Sequence, residues 1–218
     1  MTFKQIGSTD GYDIQNARLY TTSGVEYDTG NDSYVDIMKM KTDGNGGYDT
    51  AQQYPWKHRD GKANGWYRGA NPITGAYFKD GEAVCINNKS GGELRMRMSG
   101  EVEVNPVSME LIAGRSLVGN MTPVRIDIQG MRVFEDANTE YDTGSDSYVD
   151  VVKMKTDGFG GYDDNQQWPW KHRTEKANGW YKGSSPVTGI YLEPGEAVCI
   201  NNKSGKTLIL KFPNPMAK

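Results

Sequence analysis

Cysteine is almost missing from this sequence: the 218 residues hold two, Cys85 and Cys199. Two thiols cannot build the disulfide framework of a small secreted scaffold. Histidine is as scarce, with only His58 and His172, and no His/Cys spacing matches a zinc site. No apolar run reaches the length of a membrane span, which excludes a transmembrane helix. No basic run or charged tail stands out, and the formal net charge is -3 with a pI of about 5.5. Nucleic acid is therefore not an expected partner, since it needs a basic face. The opening residues, Met1 to Asp10, carry no signal-peptide pattern, and Met1 favours an intact, non-secreted product. Phosphate loops, metalloprotease helix motifs and the Gly-x-Ser-x-Gly elbow are missing too. No window shows a helical stripe with caps.

What is plentiful is glycine and aromatic side chains. Many of the 27 glycines sit in Asp-Gly, Asn-Gly and Ser-Gly pairs, which mark tight turns between short strands. Mean hydropathy is low, -0.73, so a core has to draw on the 5 Trp, 13 Tyr and 5 Phe. Strand-like alternation between the turns, together with these aromatics, excludes a disordered chain.

The dominant feature is an internal repeat. Shifted by 114 positions, the chain aligns with itself without a gap. The run from Gly81 to Gly91 matches Gly195 to Gly205 letter for letter. Pro55-Trp56-Lys57-His58-Arg59 matches Pro169-Trp170-Lys171-His172-Arg173, and Asn64-Gly65-Trp66-Tyr67 matches Asn178-Gly179-Trp180-Tyr181. Roughly two-thirds or more of the positions between Glu26 and Gly91 are identical. Outside that block the register holds: Asp13-Ile14-Gln15 faces Asp127-Ile128-Gln129, and Arg18 faces Arg132. The expected organisation is one β domain over 1–98, a connector over 99–114 and a second β domain over 115–218. The connector can include a strand, because Glu101-Val-Glu-Val alternates polar and apolar residues.

Tyr34–Lys41 reads as a strand with Val35 and Ile37 on one face. A turn follows at Thr42–Gly47, and short strands are expected over Gly75–Phe78 and Ala83–Asn87. Leu94, Met96 and Met98 alternate with Glu93, Arg95 and Arg97, as in a half-buried strand. Turn signals recur every 8–12 residues or so, as in a sandwich or barrel. The expected fold is all-β: two tandem homologous antiparallel β-sandwich or jelly-roll-like domains from an internal duplication.

The cluster that both copies keep is the candidate binding site: Trp56, His58, Arg59, Trp66 and Tyr67, with Trp170, His172, Arg173, Trp180 and Tyr181. Aromatic faces beside Asn, Arg and His can stack on sugar rings, or form a protein-contact hot spot, or simply fill a core. Asp43-Gly-Asn45-Gly-Gly-Tyr-Asp49 resembles part of a calcium loop but lacks the closing Glu, and Asn45 becomes Phe159 in the second copy. Asp28–Asp32 and Asp142–Asp146 have the Asp and Gly that turns need anyway. No metal and no cofactor are therefore expected. Cys85 and Cys199 sit among apolar residues, so inert thiols are expected, with His58 or His172 as the only base for a nucleophile. Asn88-Lys-Ser90 and Asn202-Lys-Ser204 fit the glycosylation pattern and read as hairpin turns. Glu82/Glu196 and Asp36/Asp150 are the carboxylates to test for a hydrolase.

No motif ties the chain to a named family. In texture it resembles the tandem Gly/Asn-rich β domains of bacterial surface proteins and phage virion proteins. The leading expectation is a non-catalytic structural or assembly protein at a virion or cell surface, whose partner is itself or another structural protein. Duplicated domains with matched surfaces suit arrays, rings or filaments. The first alternative is a tandem carbohydrate-binding module with a glycan partner. The second is a hydrolase using carboxylates or a Cys/His pair.

Overall fold

The computed structural model describes residues 3–4, 11–30, 32–59, 62–79, 81–98, 101–102, 107–120, 124–144, 146–155, 161–173 and 176–213, with backbone only for Phe3, Lys4, Arg59, Lys62, Glu101, Val102, Arg173 and Lys176. Every regular element among them is a β-strand or a single 3-10 turn, Ile14–Asn16 and Ile128–Gly130. No helix among the described residues is long and apolar enough to cross a membrane. The chain divides into two compact units. One comprises Phe3–Lys41 with Gly47–Glu101, the other Val102–Lys218 with Thr42–Gly46.

The first unit is organised by a five-stranded antiparallel sheet. Its order is Asn71–Pro72, Lys62–Arg68, Tyr48–Arg59, Val35–Met40 and Val84–Asn88. The expected strand at Tyr34–Lys41 is present as Val35–Met40, and Val35 and Ile37 are buried. Two-stranded ladders join Tyr12–Asp13 to Tyr77–Phe78 and Arg18–Thr21 to Leu94–Arg97. The core connects these ladders to the sheet: Leu19 and Phe78 pack in one cluster with Ile37, Trp56 and Trp66.

The second unit repeats that order and adds to it. Ser185–Pro186, Lys176–Lys182, Tyr162–Arg173, Val149–Met154 and Ala197–Asn202 follow the same sequence of neighbours, and Gly114–Gly119 extends the sheet to six strands. Ser108–Leu111 pairs with Leu208–Lys211, which pairs in turn with Arg132–Phe134. Residues read as part of a connector thus supply strands to the second unit, and Leu111 is fully buried in its core. Of the Glu101–Val104 alternation, Glu101–Val102 is a strand, and residues 103–104 lie outside the described residues.

Candidate functional site

The Trp-bearing segments are neighbouring strands. Trp56 lies directly opposite Trp66 in the ladder between Tyr48–Arg59 and Lys62–Arg68, and Trp170 opposite Trp180 in the other unit. The rings of each pair meet edge to face with centroids 5.1 Å apart, an arrangement favoured by the ring quadrupole. All four rings are 0% exposed. Each indole N–H donates to a backbone carbonyl: Trp56 to Tyr27 at 2.7 Å, Trp66 to Ala17 at 2.7 Å, Trp170 to Tyr141 and Trp180 to Met131 at 2.8 Å. Tyr67 and Tyr181 are buried as well, and their hydroxyls donate to Ala63 and Ala177 of their own strands. Of the three readings of these six residues, core filling agrees with their burial and the sugar-stacking platform does not. Rings closed off from solvent present no face to a sugar, and burying large aromatics is how a chain of low hydropathy makes its core.

A side-chain motif that sequence reading overlooked holds the second Trp strand in place. The Gln15 amide nitrogen donates to the carbonyls of Trp66 and Ile73, while its oxygen accepts from the Trp66 N–H at 3.3 Å. Gln129 repeats the clasp on Trp180. Asp13 and Asp127 cap the 3-10 turns that carry these glutamines. A Cβ on Gly65 or Gly179 would stand 2.7 Å from the Gln oxygen, so a side chain there has to push the Gln amide out of its clasp. This accounts for Asp-Ile-Gln and Asn-Gly-Trp being kept together in both copies.

The polar rim of the Trp pair is a string of mutual bonds. Arg18 lies over the Trp56 ring at 5.1 Å, pairs with Glu26, and donates to the Asn64 carbonyl at 2.7 Å. Glu26 accepts from the Asn64 amide nitrogen at 3.1 Å, so the Asn64 oxygen faces His58 Nδ1, 2.8 Å away. That assigns the proton to Nδ1. Asp28 stands 3.8 Å from the same nitrogen. Arg132, Glu140, Asn178, His172 and Asp142 repeat the string around Trp170. Glu26 and Glu140 escaped attention in the sequence; their equal spacing from the Trp motifs was the available signal. The side chains of Arg59 and Arg173 lie outside the described groups.

The carboxylates proposed for hydrolysis are each held by a lysine. Asp36, only 3% exposed, meets Lys89 at 2.7 Å and accepts from Ser33; Asp150 meets Lys203 at 2.6 Å and accepts from Ser147. Glu82 pairs with Lys39 at 2.9 Å and Glu196 with Lys153 at 2.8 Å. The Cys/His pair does not form. Cys85 lies opposite Met38, Met38 opposite Gln53, and His58 is five residues further along that strand, on the order of 15 Å away. In the calcium-like segment Asp43 accepts from the Asn45 N–H, and in the separate Asp28 segment Asp28 accepts from the Gly30 N–H, the local bonds of turns. Hydrogen bonds from Gln52 and the Ala51 N–H hold the Asp49 carboxyl below its ordinary pKa. Phe159 lies outside the described residues. Asn88 and Asn202 accept from Ser90 and Ser204, as hairpin turns require. No protein family, curated protein or solved structure matches this chain.

Proposed function

We propose that this chain is a non-catalytic structural or assembly subunit of virion or surface-array type, built from two tandem jelly-roll-like β-sandwich domains that arose by duplication. One observation carries the reading. The side chains from the Trp pairs to the Arg18–Glu26–Asn64–His58 string, which both copies retain, are engaged with one another and with backbone carbonyls of their own unit. They are used to keep the scaffold twice over, and a duplicated scaffold lets one chain fill two like positions in an array. The partner is another copy of the chain or a second structural protein.

Light scattering over a wide concentration range, with electron microscopy of the same samples, tests this. The expected result is a mass that rises with concentration and particles with a regular repeat. A chain that stays monomeric at the highest concentration, with no ordered particles, overturns the proposal.

A further inference from the structure

The two units differ at their strand edges. In the second, Leu208–Lys211 is flanked on one side by Arg132–Phe134 and on the other by Ser108–Leu111. In the first, its counterpart Leu94–Arg97 pairs with Arg18–Thr21, and among the described residues no strand lies on its other side. Burial follows the pairing. Leu208 and Leu210 are 0% exposed, whereas Leu94 and Met96 are half-buried. Asn202 donates to the carbonyls of Leu111 and Ile112 at 3.0 and 3.2 Å, while the only acceptor of the Asn88 amide among the described residues is Gly92.

The open edge also differs in charge. Where the second unit has Ile209 and Lys211, the first has Arg95 and Arg97, both exposed. Ile209 lies opposite Glu110 in the covered ladder, so in an added strand of the same register a residue at the Glu110 place would stand opposite the exposed Arg95, where an acid matches its charge. Arg97 leans on the Tyr20 ring at 4.3 Å, which leaves Arg95 as the more available cation. Directly opposed unlike charges stabilise a strand pair, and an unpaired edge is a ready template for an added strand.

We propose that the Leu94–Arg97 edge accepts an antiparallel strand from a partner polypeptide, an extended segment that alternates apolar residues with acidic ones. Its apolar side chains cover Leu94 and Met96, as Met109 and Leu111 cover Leu208 and Leu210, and its acid meets Arg95. This deepens the assembly reading by naming the contact, yet capture of a strand is measurable without any assembly.

The probe is the peptide Pro-Val-Ser-Met-Glu-Leu-Ile, residues 106–112, added at up to millimolar concentration to the full chain. Amide hydrogen exchange is read at 94–97 and at 208–211. Saturable slowing at Leu94–Arg97 is expected. A Glu-to-Lys peptide should bind about two- to fivefold more weakly, and Arg95→Glu in the protein should restore it. Unchanged exchange at Leu94–Arg97, or slowing confined to Leu208–Lys211, overturns the proposal. Self-association that slows exchange at this edge without peptide, and that Arg95→Glu breaks, makes a second copy the occupant and overturns assignment to a separate partner. A monomer that captures the peptide sinks the assembly reading and leaves the edge site standing. An assembly whose edge still exchanges freely does the reverse.

Discussion

Cys85 and Cys199 stand at the same place in the same Val-Cys-Ile-Asn-Asn strand, and only Cys199 is buried. The cause is a neighbour. Leu117 of Gly114–Gly119 lies opposite Cys199, while Val84–Asn88 has no strand on that side among the described residues. In native conditions a thiol reagent should label Cys85 quickly and reach Cys199 only after unfolding. Mass spectrometry of the labelled, digested chain checks this. Equal labelling of the two would mean that Gly114–Gly119 does not cover the second strand.

Alkaline pH should weaken the second unit. Burial pushes the Cys199 thiol up, and burial pushes the Tyr162 phenol up to about 12. Each group thus holds its proton more tightly folded than unfolded. Their contribution is complete below about pH 8.5, where the unfolded thiol keeps its proton, and is lost as the pH rises through the thiol range and on toward 12. The urea midpoint should fall between pH 8 and 11, and Cys199→Ala should flatten the first part of that fall. A wild-type midpoint constant across this range would contradict it.

All five tryptophans, Trp56, Trp66, Trp168, Trp170 and Trp180, are buried. Emission should be blue-shifted and barely quenched by acrylamide in the folded chain, then red-shifted and quenchable in denaturant. Trp66→Ala should cost about 3–5 kcal/mol in chemical denaturation, because it empties the centre of the first core. Strong quenching of the native protein would put at least one ring at the surface.

Gly65 and Gln15 should behave as one unit. Gly65→Ala sets a methyl against the Gln15 oxygen and should cost about 1–3 kcal/mol. Gln15→Ala removes the clasp and leaves backbone groups of the Trp66 strand short of partners, a loss of similar size. In the double variant the methyl has room, so the two costs should sum to more than the cost of the pair. A double-mutant cycle with no coupling would rule out the contact.

The strands with regular alternation were legible in advance: Leu94–Arg97 and Val35–Met40 lie where Leu94/Met96 and Val35/Ile37 point. The twelve-residue strands Tyr48–Arg59 and Tyr162–Arg173 were not: after the Thr42–Gly47 turn only an edge-like segment was legible. Pro55 stands within the first and charged Lys57 and Arg59 follow, a pattern that argues against a central strand. The structure accommodates the proline because the ladder toward Lys62–Arg68 begins one residue later, at Trp56. The candidate cluster was located but not oriented. A Trp-rich stretch reads alike whether its rings face a core or a ligand, and only the indole bonds to Tyr27 and Ala17 separate the two.

By itself the sequence determined the internal repeat, the strand-and-turn character, and which side chains both halves retain. Those follow from local patterns and from comparing the chain with itself. Only the tertiary structure decided that Ile86 is 38% exposed while Ile200, in an identical strand, is fully buried. Burial depends on which strand arrives alongside, and that strand, Gly114–Gly119, lies some eighty residues away in the chain from the one it covers.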